Sequence, residues 1–328
     1  MTKFLPHVEL RKMTPVRIVV VAGVLIAYAG VAYFGFDYAR ETLMSQLSSQ
    51  LSARVELDAV RIESILGGYV QQARDLSQRR ELGDAVLHAP IDGGEALSNY
   101  LDMEMRTSHL VGTITVSDST GRVIASTDDE NIGTSIASTR SFHVGSMITT
   151  FFGLFKKSDA HLYALSVSPI TVGDSLVGVL QMSVAADELI AITSNYKNLG
   201  STGEVMIVQK NAAGDSIFVT PLRFDPDAAI RRGLPSTDTH RICTIAAAGV
   251  EGAFVNGDVF DYRNQKVVAA TRFINTQGWG VIVKMDAKEA LEEVNSLLTY
   301  AGLARLLIGV LILGVLLSNV AVRIRFSR

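Results

Sequence analysis

The chain of 328 residues has one cysteine, Cys243, and one tryptophan, Trp279. A lone thiol cannot close a disulfide within the chain, so Cys243 reads as a small buried apolar residue. Charged residues are sparse, 19% of the total with a formal net charge of −3. An acidic balance argues against nucleic acid as a partner, which would select a basic face. The signatures G-x-S-x-G, H-E-x-x-H and G-x-x-x-x-G-K-[ST] are all missing, which argues against an enzyme. The histidines His7, His88, His109, His143, His161 and His240 form no i, i+4 pair. Asp128, Asp129 and Glu130 lack the spacing of a calcium loop and read as a solvated turn. No metal and no cofactor is therefore expected.

Apolar sequence, by contrast, is plentiful. The mean hydropathy is +0.27, high enough that membrane spans come first. Residues 18–36 are an unbroken apolar run, and residues 306–322 are another, interrupted by Ser318 and Asn319. Roughly 20 helical residues cross the hydrocarbon core. Both runs suffice, the second by borrowing 300–304 and letting Arg305 snorkel. Lys3, Arg11, Lys12 and Arg17 precede the first run, and Arg323, Arg325 and Arg328 follow the second. Both ends therefore read as cytoplasmic. Setting aside those seven basic residues and Glu9, 30 and 33 become 23 basic and 32 acidic residues, a net of −9 for the translocated middle. Ala27-Tyr28-Ala29 has the pattern of a signal-peptide cleavage site. The apolar run continues through Phe36, however, so a retained anchor is the reading adopted.

Leu47, Leu51, Val55, Ile62, Ile65, Tyr69, Ala73 and Leu76 recur at spacings of three, four and seven. This is one apolar stripe on a long helix over 37–89, weakened at Gly67-Gly68 and ending near His88-Ala89-Pro90. The stripe approximates a heptad, so it is either a dimer seam or a face packed on the chain's own domain. Beyond it, GTITVSDSTGRVIAST reads as two strands around the turn Asp118-Ser119-Thr120-Gly121. LYALSVSPI and GVLQMSV are further strands, followed by a helix near 186–195. The second half repeats the plan with GEVMIVQKNAAGDSIFVT, GAFVNGDVFDYRNQKVVAATRFI and WGVIVKMD, followed by a helix from about Ala287. GVLQMSVAADEL and GVIVKMDAKEAL thus close two α+β modules built alike.

These residues resemble a double Cache sensor ectodomain of bacterial transmembrane receptors and sensor kinases. The resemblance rests on VSDSTGRVIAST, NIGTSIASTRSF and LSVSPI with GDSLVGVLQMSV in the first module, and on LGSTGEVMIV and NTQGWGVIVKMDAKEAL in the second. It implies two PAS-like modules on a long N-terminal helix between two transmembrane helices. It also implies a small-molecule ligand in the membrane-distal module, a homodimer, and a signal passed to a cytoplasmic output domain. Only RIRFSR follows Val322, so that output is expected to be missing from this chain or carried by a partner protein. The implied setting is the bacterial inner membrane, crossed twice, with the ectodomain periplasmic or extracellular.

The expected organisation is a cytoplasmic terminus 1–17, spans at 18–36 and 300–322, the long helix 37–89, a distal module 90–195, a proximal module 196–299 and a tail 323–328. Within the distal module, Arg140, Phe142 and His143 match an Arg-x-aromatic segment that borders the pocket in similar sensors. A guanidinium offers a carboxylate a fork of donors, and an aromatic ring supplies a rigid wall. Tyr163 and Ser166 lie on an alternating strand, and they contribute hydrogen bonds only if they face the pocket. Ser183 stands where the amino-acid-binding branch of the family carries an acid for the ligand ammonium. An unpaired ammonium is costly to desolvate, so an organic acid is expected rather than a free amino acid. Phe151, Phe152 and Phe155 read as core, Trp279 as a packing anchor, and Asp286 as the cap of the last helix. The competing reading is a membrane-tethered adaptor that binds a protein and no small molecule.

Overall fold

The computed structural model describes residues 15–92, 94–108, 112–157 and 161–318. His7, His109, residues 319–322 of the expected second span and the basic flanks Lys3, Arg11, Lys12, Arg323, Arg325 and Arg328 lie outside the described residues. The described chain divides into two units, one from Met1–Gln50 with Ala287–Arg328 and one of Leu51–Asp286.

The first unit holds the start of helix α1, Pro15–Ser77, and helix α7, Ala287–Ser318. The two helices approach at small residues. A Cβ on Gly309 would lie 2.9 Å from the Tyr28 ring, and one on Gly35 would lie 3.2 Å from the Arg305 guanidinium. The Tyr28 hydroxyl donates to the Arg305 carbonyl. Among the described residues, one helix is long and apolar enough to cross a membrane, and it is the segment Ala22–Ser77 of α1.

The second unit combines helices with antiparallel sheets. Its part of α1 buries Leu51, Val55, Ile62, Leu66, Tyr69, Ala73 and Leu76. Of the two readings left open for the apolar stripe, the structure therefore takes packing on the chain's own domain over a dimer seam. The Tyr69 hydroxyl, desolvated there and close to Glu188 and Asp187, is pushed up to about 12. The long helix also breaks earlier than its pattern predicts. The Ser77 hydroxyl donates to the Arg74 carbonyl at 3.0 Å and meets the Ser168 hydroxyl at 2.7 Å. A serine that turns back on the preceding turn competes with helix propagation. Two shorter helices follow, α2 (Arg80–Asp92) and α3 (Glu95–Ser108). Pro90 does not end α2, which runs two residues past it.

Then come β1 (Gly112–Asp118), β2 (Val123–Ser126), helix α4 (Arg140–Gly145), β3 (Thr150–Lys156), β4 (Leu162–Val172), β5 (Ser175–Ala185) and helix α5 (Asp187–Thr193). The first sheet has the order β2-β1-β5-β4-β3. The remainder is β6 (Glu204–Lys210), β7 (Ser216–Phe218), β8 (Gly233–Leu234), helix α6 (Ile242–Ala247), β9 (Gly252–Phe260), β10 (Lys266–Ile274) and β11 (Trp279–Asp286). The second sheet has the order β8-β7-β6-β11-β10-β9. Its core packs Met206, Val208, Phe218 and Ile282 against Ile242, Cys243 and Ala246 of α6. Cys243 is buried as expected, and burial pushes its thiol up beyond its ordinary value. Trp279 is also buried. Its indole N–H donates to Gln209 Oε1 at 2.9 Å, and its ring meets Phe151 edge-on at 5.6 Å.

The β1–β2 turn forms where its sequence predicts. Asp118 Oδ1 accepts the amides of Thr120 at 2.9 Å and Arg122 at 3.0 Å. Gly121 completes the turn at φ +86°, where a Cβ would stand 2.6 Å from the Ala137 Cα. A side chain in the left-handed region costs about 1–2 kcal/mol, before that collision is counted. Gly121→Ala is therefore expected to lower the melting temperature of the full chain by about 2–8 °C, read by thermal unfolding. A change under a degree would contradict this turn geometry.

Candidate functional site

Alternation along the strands of the first sheet sends odd-numbered residues of β1, β4 and β5 to one face and even-numbered residues to the other. Ser183 pairs with Thr113 on one side and Leu165 on the other. Gln181 likewise sits between Thr115 and Val167. On that odd face lies a cavity of about 440 Å³, the size of a small-metabolite site. Thr113, Thr115, Gln181, Ser183 and Leu165 form its floor. Val123 of β2 and the following loop, through Asp128, Asn131, Thr134 and Ile136, form one wall. Phe155 at the end of β3 and Lys157 just beyond it form another.

The lining carries one cationic group, Lys157, and one anionic group, Asp128. The Lys157 ammonium donates to Thr113 Oγ1 at 2.5 Å and stands 4.9 Å from the centre of the Tyr163 ring. An ammonium donates three hydrogen bonds, so it can bind an anionic oxygen while keeping its threonine. The carboxamides of Asn131 and Gln181 and the threonine hydroxyls offer both donors and acceptors. Val123, Ile136, Phe155 and Leu165 provide apolar wall. The arrangement suits a small molecule with an apolar body and at least one charged end.

Among the residues singled out from sequence, Ser183 lines the cavity, and its hydroxyl donates to the Thr113 carbonyl at 3.3 Å. Tyr163 shares the odd face and stands behind the wall, with its ring 5.9 Å from Phe155 and beneath Lys157. Ser166 lies on the even face, opposite Met182 and Phe151. Its buried hydroxyl finds no hydrogen-bond partner among the described residues. Arg140, Phe142 and His143 lie on α4 and are not part of the lining. Arg140 and His143 are exposed and Phe142 is buried. Thr139 caps this helix by accepting the Phe142 amide at 3.2 Å. The helix touches the site through Ser141, whose hydroxyl accepts from Gln181 Nε2 at 3.0 Å.

Sequence reasoning missed Lys157, Asp128 and Phe155. Phe155, read as core, faces the cavity because β3 is a full edge strand paired with β4. Asp128, read as solvated, is drawn over the sheet by the turn at Asp129–Asn131. One signal was available in Thr113, Thr115 and Ser117, three polar residues that alternate along one face of β1 and are all buried.

No family model and no curated protein matches the sequence. Solved structures do match the fold. One is the sensor domain of the Vibrio cholerae histidine kinase DctB, with a TM-score of 0.54 at 12% identity, covering 74% of this chain and 98% of that one. Another is the ligand-binding domain of the Pseudomonas aeruginosa PAO1 amino acid chemoreceptor PctB in complex with L-Arg. It has a TM-score of 0.51 at 13% identity and covers 75% of this chain and 97% of that one. A third is the ligand-binding domain of Mlp24 with asparagine, with a TM-score of 0.53 at 14% identity, covering 78% of this chain and 99% of that one. With its long N-terminal helix and antiparallel sheets, this chain has the fold of the Cache sensor domains of histidine kinases and chemoreceptors.

Proposed function

We propose that this protein is a two-pass membrane sensor subunit whose ectodomain, a pair of Cache modules, binds a small molecule in the cavity of the first sheet. The observation that carries the reading is the cavity itself, with Lys157 and Asp128 both in its lining. A carboxylate of the ligand faces Lys157 and the hydroxyl of Thr113. Asp128 is the acid that strand β5 does not supply, so a ligand that also carries an ammonium group fits as well. The amino acids held by PctB and Mlp24 belong to that class. The chain has no catalytic role in this reading. The ectodomain is periplasmic, both ends are cytoplasmic, and the output lies on a cytoplasmic domain or partner.

Signalling proceeds as a population shift, limited by the ligand's differential affinity for the two states. The long helix is the moving part. Its outward face repeats Leu57, Val60, Ser64 and Gly67 at spacings of three and four. Leu57 and Val60 are 47% and 52% exposed, and a Cβ on Gly67 would meet nothing within 4 Å. This face, not the buried stripe, is the proposed homodimer seam. Leu57→Cys, with Cys243→Ala to remove the native thiol, is expected to cross-link two copies in membranes under mild oxidation. Asp174→Cys, exposed in the turn between β4 and β5 and not on α1, is expected to cross-link far less. Equal yields at both positions would remove the seam.

The function itself is tested by thermal unfolding of the full chain in detergent against organic acids, amino acids, amines and nucleobases. At a hundred times the dissociation constant a binder adds about 2.7 kcal/mol. A saturable rise with one carboxylate-bearing class is the expected result. No rise with any class would favour the adaptor reading.

A further inference from the structure

The second sheet holds a buried charge cluster. The Lys284 ammonium lies 3.1 Å from Glu204 Oε2 and 3.0 Å from Asp261 Oδ2, and all three side chains are fully buried. The Tyr262 hydroxyl donates to Glu204, and the Arg223 amide donates to Glu204 Oε1 at 2.6 Å. Arg263 bridges Asp261 and Asp286.

Strand register gives this cluster a counterpart. In order β7-β6-β11-β10-β9 the second sheet repeats β2-β1-β5-β4-β3 of the first. In the first sheet, Val179 of β5 packs under α4, where a Cβ on Gly145 would meet its Cγ1 at 2.7 Å. In the second, Gly280 of β11 packs under α6, where a Cβ would meet the Ala246 carbonyl at 2.5 Å. Four residues further along the same face stand Ser183 and Lys284. Ser183 pairs with Thr113 and Leu165, and Lys284 pairs with Glu204 and Ala269. The edge strands agree. Lys157 directly follows β3 and its amide donates to the carbonyl of the fourth residue on, His161, while Asp261 directly follows β9 and its amide donates to Gln265.

Three positions that bound the cavity in the first sheet, Thr113, Ser183 and Lys157, are therefore Glu204, Lys284 and Asp261 in the second. The loops repeat the theme. The segment Asp128–Ile136 walls the cavity, while Arg223 and Phe224 close over the cluster, with the Phe224 ring centre 5.4 Å from the Lys284 ammonium. We infer that Lys284 is a built-in ligand, a tethered primary ammonium held by Glu204 and Asp261 in the place that a diffusible molecule takes in the first sheet. The second sheet thereby keeps its site permanently filled and binds no metabolite. The strand that leads into α7 is held in one occupied arrangement, and the chain takes one small molecule, not two. This rests on strand register and ion pairing, and stands or falls apart from the identity of any ligand of the first sheet.

The experiment is amine rescue. Lys284→Ala in the full chain, in detergent, deletes about one n-propylammonium from the site. The variant is expected to melt below wild type. n-Propylammonium chloride is expected to raise its melting temperature by several degrees in a saturable way, beyond equal sodium chloride. Wild type, and Lys284→Met with its space refilled, are expected to show no amine-specific rise. Tetramethylammonium, which donates no hydrogen bond, is expected to do no more than sodium. Should the single variant not accumulate, Lys284→Ala/Glu204→Gln leaves one carboxylate for the amine, and the same amine-specific rise is expected. If n-propylammonium and sodium move the folded variant equally, or if wild type rises as much, the inference is overturned.

Discussion

Lys284→Met is expected to lower the melting temperature of the full chain by roughly 6–20 °C. The substitution keeps most of the side chain's volume and removes its charge. Glu204 and Asp261 then remain, both fully buried, without the cation that sits 3.1 and 3.0 Å away. Removing one partner of a buried pair costs about 3–5 kcal/mol, because an uncompensated charge stays behind. For a unit of 150–250 residues, each kcal/mol is worth about 2–4 °C. Arg263 and the Tyr262 hydroxyl soften the loss without cancelling it, since Arg263 reaches Asp261 but not Glu204.

The pH dependence gives this prediction a second readout. In the wild type, burial acts to raise the Asp261 carboxyl, but Lys284, the Gln265 amide and Arg263 outweigh it and hold the group below its ordinary value. A carboxyl lowered by folding adds stability above its unfolded value, about 3.9, and loses it as the pH falls through the folded value. The wild type should therefore weaken below about pH 4. Without Lys284 the largest opposing charge is gone and burial gains weight. The Lys284→Met deficit is then expected to shrink on acidification from pH 7 to 5, because protonation relieves the buried Asp261 carboxylate. Melting within 2 °C of wild type with a parallel pH profile would show that the pair is not coupled.

Lys157→Met is expected to weaken a carboxylate ligand about 10–100-fold while leaving the unliganded chain's melting temperature nearly unchanged. A hydrogen bond to a charged group contributes about 1.5–3 kcal/mol, and every 1.4 kcal/mol is tenfold in affinity. The ammonium is half-buried and donates a hydrogen bond to Thr113, so little stability depends on it in the empty state. Arg140→Ala is expected to change affinity less than threefold, because Arg140 is exposed at the start of α4 and outside the lining. Titration of both variants with one ligand decides the matter. Loss in Arg140→Ala with retention in Lys157→Met would return the anion site to α4.

The elements were legible where one physical signal dominated. β1, β5, β6, β10 and β11 are runs of β-branched and apolar residues, and the Asp118–Gly121 turn names itself by its Asp and Gly. The buried stripe on α1 was legible as a stripe. Its partner was not, since spacing records that a face is apolar and not what covers it. The exposed face at Leu57 and Val60 went unnoticed because it is weaker than the buried one. The cavity was the hardest part to see. Lys157 and Asp128 reach it from a strand end and a loop turn, where no periodicity marks direction. Arg140 drew attention through a resemblance in residue type, which does not fix where a short helix points its first side chain. Lys284 sat within the repeated GVIVKMD, and its role emerged from its register opposite Glu204.

Calorimetric titration of the stabilising compound into the full chain, in wild type and in Ser183→Leu, tests the central claim most directly. Leucine at this position extends into the cavity floor and changes no charge. The account predicts one molecule bound per chain in wild type and no measurable binding in Ser183→Leu, with similar melting temperatures for the two empty proteins. Undiminished binding in Ser183→Leu would place the ligand elsewhere and contradict the account.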